Sequence, residues 1–480
     1  MLGRPFLALG LLLCGLSGVE FIFAALDATV SDENWQGFLI SAIMSGLIGV
    51  GLVSAFWSAA HDKHFDLRSG FILTALSWTV FPLMASFPFF LSDLDISLTD
   101  AVFETISGVT TTGSTVLTDL DHLDPMLLLW RSVLQWIGGV GIILMAVLMM
   151  PFLRIGGMQL FQLESSARSE TGLHTRPGAL IRDIAALYVA LTLLCAACFS
   201  IAGMSAFDAL NHAMSTLATG GYSTHDASLG YFNSAAIYWV AIIFMTAAAL
   251  PFMMYLRAIK DGPQIIASDP QAPLFLLMLV GMWLIGAAFL NDGGDYFTTL
   301  TRVAVNVTSV ITTTGFASED YQLWGAGFIG FFFALTFFGG CAGSTSGAIK
   351  IYRLQLLGLY AGAHLRRLHS PSIVQATTYG GVKLDRETGL SVLAFLALFI
   401  GAFSVGAFAL ALTGLDFPTA LSASATALCN VGPGLGAVIG PAGNFSTLPD
   451  LAKWILLGLM LLGRLELFAL LVLFDPYFWR

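Results

Sequence analysis

A chain of 480 residues in which 57% are hydrophobic and 10% charged has a mean hydropathy of +0.83, whereas a soluble domain carries about 25% charged residues. Most of it must sit in lipid, which leaves no room for an appended soluble domain and gives no sign of a nucleic-acid partner. The formal net charge of −10 says less than where the charges fall.

Apolar runs long enough to cross a bilayer, each about 20 residues, occur at 4–26, 35–58, 69–91, 126–151, 180–204, 233–257, 272–291, 322–349, 387–413 and 451–475. The chain therefore reads as an all-α polytopic membrane protein. The first run is longer than the apolar core of a cleaved secretory signal and is taken as a retained span. Lys63, Arg68, Arg154, Arg168, Arg176, Arg182, Arg257, Lys260, Lys350, Arg353, Arg366, Arg367, Lys383 and Arg386 share one side. Asp27, Asp32, Asp93, Asp95, Asp119, Asp121, Asp124, Asp226, Asp292 and Asp295 share the other. By the positive-inside rule both termini are cytoplasmic. The acidic outer face would gather cations, although ordinary loop solubility accounts for it equally well. Cys14, Cys195, Cys198, Cys341 and Cys429 lie in or beside apolar stretches and read as small buried hydrophobes rather than a redox or metal site.

Four connections on the acidic side are alike: "DAVFETISGVTTTGSTV" (100–116), "DALNHAMSTLATGGYST" (208–224), "TRVAVNVTSVITTTGFA" (301–317) and "TALSASATALCNVGPGL" (419–435). Each is a short run, too short to cross, that ends in a Gly-bearing turn, and the pattern returns about once per hundred residues. Asp100 and Asp208 are placed as N-caps of the first two runs. Non-helical backbone is tolerated at membrane depth only where protein or a watery cavity surrounds it, so the four segments should be re-entrant loops meeting on a common axis. Glycine there permits backbone conformations costly for other residues. Rings of carbonyl oxygens of this kind strip a cation of its water in potassium filters. Packing turns alone would explain neither the threonines nor the repetition.

Taken in order, "VTTTGST", "LATGGYST", "ITTTGFA" and "LCNVGPGLG" resemble the four filter loops of the Trk/Ktr/HKT superfamily of potassium transporters, most nearly its bacterial TrkH-type members, over nearly the whole chain. The resemblance implies four M1–P–M2 repeats with re-entrant pore loops around a pseudo-fourfold axis, preceded by a helical hairpin. The units would be residues 1–66 for the hairpin, then 67–155, 156–262, 263–369 and 370–480 for the repeats. It implies a filter of Thr111, Thr112 and Gly113; Ala218, Thr219 and Gly220; Thr313, Thr314 and Gly315; and Asn430, Val431 and Gly432. Gly221 and Tyr222 are expected behind it, in support. In plant relatives a Ser at the first filter Gly goes with sodium transport, so Gly113 favours K⁺. The implied activity is K⁺ uptake across a bacterial inner membrane through a selective, gated, channel-like pore in a homodimer. A cytosolic, nucleotide-binding TrkA-type subunit would control it. This chain itself carries no nucleotide-binding signature and no cofactor.

Two further features stand out. "FFALTFFGGCAGSTSGAIKIYRLQ" (332–355) begins as a span but is interrupted by Gly339, Gly340, Gly343, Ser344, Thr345, Ser346 and Gly347. So many poor helix formers imply an unwound segment lining a cavity, with a small-residue helix contact as the alternative. The resemblance makes it an intramembrane gating loop. Arg464, alone within an apolar span, is costly there and therefore a functional candidate. Glu466 lies on another face of the helix. By resemblance Arg464 points into the pore beneath the filter and touches the gating loop when closed; a buried pair with Glu104 or Glu20 is the structural alternative. His61 and His64 read as solvated loop residues, and the basic stretch 350–386 suits anionic lipid or an acidic partner. No enzyme motif is present. A symporter coupled to H⁺ or Na⁺ remains the alternative mechanism, with Glu104 its one titratable candidate near the filter.

Overall fold

The computed structural model describes residues 3–30, 34–61, 66–149, 177–290, 293, 295–370 and 378–480. The expectations drawn at Asp32, Lys63, His64, Arg154, Arg168, Arg176 and Asp292, and at the side chain of His61, lie outside the described residues. Most of what is described is helix; the strands among the described residues, Thr378–Tyr379 and Val382–Lys383, form one short antiparallel hairpin.

Among the described residues, seven helices are long and apolar enough to cross a membrane unaided: Gly3–Val30, Trp35–Ala59, Leu67–Phe90, Pro125–Met145, Gly178–Ile201, Ala272–Phe289 and Arg386–Leu412. The remaining three expected spans are interrupted. Ala235–Ala248 and Phe252–Asp261 meet at 90°, and Asp450–Arg464 and Phe468–Phe474 at 107°, so 233–257 and 451–475 are not single helices. At the first bend Pro251 has no N–H to give and its ring blocks the preceding turn. At the second, Glu466 and Leu467 hold φ values of 54° and 58°, which no α-helix continues through. The run expected over 322–349 is helical only at Ala326–Leu335 and a short turn before it; 336–350 is irregular, and a new helix, Ile351–His369, follows.

The N-terminal helices pack side by side. Gly10 and Gly49 face each other so closely that a methyl group on either would strike the opposing backbone, the small-residue contact that lets membrane helices approach. Ser17 Oγ donates to the Ala42 carbonyl across the same seam at 2.6 Å. Phe23 and Phe38 stack edge-on against Trp130, whose indole N–H donates to the Ala85 carbonyl at 3.1 Å. The hairpin is thus keyed to the Pro125–Met149 helix through Trp130.

Four shorter helices, Leu98–Val109, Ala206–Ala218, Tyr296–Ile311 and Phe417–Cys429, sit between the spans and are called pore helices below. They run 12 to 16 residues, too few to cross. Asp295 and Asp416 cap the third and fourth. In the first two, the cap is not the aspartate expected from the sequence. Ser97 and Ser205 accept from the N–H groups of Asp100 and Asp208, which are the third residues of their helices. The hydroxyls in turn donate to the Asp100 and Asp208 carboxylates at 2.8 Å and 2.7 Å. A Ser hydroxyl reaches the free amide, and the carboxylate within the first turn faces the positive helix end.

Candidate functional site

The four pore helices end in the same way. Thr111, Thr219, Thr313 and Asn430 all take left-handed conformations, with φ of 52°, 52°, 58° and 54°. The residue after each, Thr112, Gly220, Thr314 or Val431, donates its N–H back to a carbonyl five residues earlier: Ser107, Ser215, Ser309 and Thr426. Next comes a glycine with positive φ: Gly113 at 84°, Gly221 at 79°, Gly315 at 88° and Gly432 at 104°.

These glycines close a ring. A Cβ on Gly113 would overlap the Gly220 carbonyl oxygen, one on Gly221 the Thr314 oxygen, one on Gly315 the Val431 oxygen, and one on Gly432 the Thr112 oxygen. Each loop therefore presses the carbonyl of its middle residue against the α-carbon of the preceding loop's glycine, and the fourth loop closes on the first. Both the positive φ and the contact demand glycine.

This geometry corrects the register expected for the second loop. There the counterpart of Thr111, Thr112 and Gly113 is Thr219, Gly220 and Gly221, one residue beyond Ala218, Thr219 and Gly220. Ala218 closes the pore helix, and Gly221 is a ring member rather than a supporting residue. Two adjacent glycines made either alignment possible in the sequence; only backbone dihedrals separate them. Tyr222 does lie behind the ring, its hydroxyl donating to the Glu104 carbonyl at 2.7 Å.

Polar side chains hold the loops in place. Arg131, buried in the Pro125–Met149 helix, donates from Nε to Glu104 Oε1 at 2.8 Å and from Nη1 to the Ser223 carbonyl at 3.0 Å. Glu104 also accepts from the Val116 N–H at 3.0 Å. Asn430 Nδ2 donates to Thr112 Oγ1 and to the Met460 carbonyl, both at 3.0 Å, and Ser114 Oγ to the Gly432 carbonyl at 2.9 Å. At the outer end of the second pore helix, burial pushes the Asp208 carboxyl up, but hydrogen bonds from Thr224 and Ser205 outweigh it and hold the group below the usual carboxylate range. Arg131 and Gln135 escaped the sequence reading because both lie inside an apolar run; a polar residue every fourth position was the signal available.

Segment 336–350 packs directly against the ends of the pore helices. Gly347 donates its N–H to Thr313 Oγ1 at 2.6 Å, and Ala348 to the Cys429 carbonyl at 2.9 Å. The break at Pro251 frees carbonyls on the neighbouring span, and the segment uses them: Cys341 donates to Ala249 at 2.8 Å and Thr345 to Ala248 at 3.3 Å. Unwound backbone is thereby satisfied by protein, as membrane depth requires. Gly339, Gly340, Gly343, Ser344, Thr345, Ser346 and Gly347 all belong to this irregular stretch, so they do not form a helix–helix contact.

Arg464 is 3% exposed and ends its helix beside this segment. Its Nη1 donates to the Thr345 carbonyl at 2.8 Å and its Nη2 to the Gly138 carbonyl at 3.4 Å. Neither acid considered as a distant partner reaches it: Glu104 is bonded to Arg131, and Glu20 to Ser41 at 2.7 Å. Glu466 is paired with Arg353 at 2.5 Å, and Lys350 Nζ donates to the Ser346 carbonyl. Together Gly343, Ser346, Lys350, Arg353, Arg464 and Glu466 line a cavity of about 60 Å³.

The family model described as "TrkH: Cation transport protein" matches residues 38–266 and 296–479. The chain belongs to the TrkH family. It is accordingly a multi-pass membrane protein of a cation-transport family and not an enzyme. Among its relatives are the Trk system potassium uptake protein TrkI of Halomonas elongata, 46% identical over 85% of this chain and 84% of that protein, and TrkH of Vibrio parahaemolyticus, 38% identical over 98% of each. TrkH of Escherichia coli K12 is 35% identical, again over 98% of each. The crystal structure of the potassium transporter TrkH from Vibrio parahaemolyticus superposes with a TM-score of 0.91 at 34% identity, covering all of both chains. The all-helical architecture with interrupted spans is thus the architecture of TrkH family members.

Proposed function

We propose that this chain takes up K⁺ across a bacterial inner membrane through a selective, gated, channel-like pore, with both termini cytoplasmic. The observation that carries this reading is the closed ring of four left-handed, glycine-bearing turns. Thr111–Gly113, Thr219–Gly221, Thr313–Gly315 and Asn430–Gly432 would supply carbonyl oxygens to a dehydrating cation about a pseudo-fourfold axis. Four pore helices direct their partly negative C-terminal ends at the same place, which favours a cation there. That its relatives are named potassium uptake proteins supports K⁺ as the ion.

Beneath the ring, 336–350 would bar the path until it moves; the hydrogen bonds of Arg464 to the Thr345 and Gly138 carbonyls support this reading. Opening requires that segment to leave. The helix Ile351–His369 continues from it and ends in Arg366, Arg367 and His369. This basic end would meet a cytosolic regulatory subunit of the TrkA type, through which any nucleotide acts. Each protomer holds a complete ring, so the homodimer we infer is not needed to form a pore. Because Glu104 is engaged by Arg131, it gives no support to proton-coupled symport. In vesicles containing the purified protein, the current is expected to reverse at the K⁺ equilibrium potential whatever pH gradient is imposed; a reversal potential that follows the pH or Na⁺ gradient would establish coupled transport instead.

A further inference from the structure

The four middle residues of the ring are not equivalent. Thr112 and Thr314 turn their hydroxyls back to Thr110 and Thr312, at 2.7 Å and 2.8 Å. Val431 has no polar side-chain atom, and Gly220 has no side chain at all. The space a side chain would fill at Gly220 is taken by another residue, since a Cβ there would run into the carboxamide of Gln135.

Gln135 is fully buried and uses both ends of that carboxamide. Its Oε1 accepts from Ser215 Oγ at 2.7 Å and from the Tyr222 N–H at 3.2 Å. Its Nε2 donates to the Gly220 carbonyl at 2.6 Å. The Tyr222 amide can only donate, so it must face Oε1, and this fixes which way the carboxamide points. Of the four carbonyls pressed against the neighbouring glycines, the Gly220 oxygen is thus held by a side-chain donor placed by a different repeat.

We propose that Gln135 is a specificity-determining positioning residue of the ring: by donating to the Gly220 carbonyl it weakens and immobilises one of four cation ligands and so disfavours small, strongly hydrated monovalent cations. The inference rests on the ring being the cation path. A carbonyl oxygen has two lone pairs, and an N–H bound to one leaves less negative charge for a cation at the other. Ligand field strength and freedom to contract both bear on K⁺ over Na⁺. A strong, mobile ligand rewards the smaller ion most, since Coulomb attraction grows as the separation shrinks.

The test uses full-length protein purified into vesicles, with tracer fluxes of Na⁺ and Rb⁺ measured for wild type, Gln135→Met and Ser215→Ala. Methionine keeps the bulk and removes the donor; Ser215→Ala leaves the donor but loosens its anchor. The Na⁺/Rb⁺ flux ratio is expected to rise about three- to tenfold in Gln135→Met, the scale of one hydrogen bond, and by a smaller factor in Ser215→Ala. A fall in both fluxes at an unchanged ratio would mean a merely structural role and overturn the proposal. Should Gln135→Met fail to fold, Ser215→Ala decides by the same criterion, a raised ratio supporting the proposal and an unchanged one overturning it. A wild type that already passes Na⁺ as readily as Rb⁺ would instead defeat the reading of the ring, whatever the variants do.

Discussion

Replacing Arg464 with Ala is expected to raise K⁺ flux through vesicles at least about tenfold without any regulatory subunit, the scale set by a unit charge near the path. Two effects add. Arg464 holds 336–350 through the Thr345 carbonyl, so its loss loosens the barrier. It also places a buried positive charge below the ring, unpaired with any acid considered for it. Two unit charges 4 Å apart at an effective dielectric of about 20 repel by about 4 kcal/mol, whereas a tenfold change in rate needs only about 1.4 kcal/mol. Arg464→Lys should recover most of the charge barrier but not the hydrogen-bond pair. Tracer efflux from vesicles checks both. Unchanged flux in a well-folded Arg464→Ala protein would reduce the arginine to a packing element.

Gly221→Ala should be the more damaging of the two glycine changes in the second loop, lowering K⁺ flux at least about tenfold. A residue with a Cβ pays about 1–2 kcal/mol for the left-handed conformation, and here the new methyl would also overlap the backbone oxygen of Thr314, which cannot swing aside. At Gly220 φ is not positive, and the obstacle is the end of the Gln135 side chain. Gly220→Ala should therefore retain more flux while disturbing selectivity. The reverse ranking would restore the alignment of Ala218, Thr219 and Gly220 with the other loops and contradict the ring geometry.

What was legible in the sequence, and what was not, divides by physical cause. Hydropathy finds spans because lipid demands about 20 apolar residues of any segment that crosses, but it is blind to direction. It therefore joined Ala235–Ala248 to Phe252–Asp261 and Asp450–Arg464 to Phe468–Phe474, where Pro251 and the left-handed Glu466 and Leu467 turn the chain. The unwound segment 336–350 was legible because glycines and hydroxyl residues accumulate there, while the single proline at 251 gave a weaker mark. The pore loops stood out by repetition. Their register did not, since Gly220 and Gly221 differ only in backbone dihedral. Capping by Ser97 and Ser205 was masked by the aspartates three residues on, which share the same short-range bonds. Arg131 and Gln135 show what a span conceals: a buried polar residue is informative only once its partners, Glu104 and the Gly220 carbonyl, are brought beside it by the fold.

The central claim is that the ring of four loops selects K⁺ and that glycine at its first corner is required for this. The most direct measurement is the relative permeation of K⁺, Rb⁺, Cs⁺, Na⁺ and Li⁺ through purified protein in vesicles, wild type beside Gly113→Ser. The account predicts K⁺ and Rb⁺ far ahead of Na⁺ and Li⁺ in the wild type, and Na⁺ admitted when Ser replaces Gly113. Equal passage of Na⁺ and K⁺ through the wild type would contradict it.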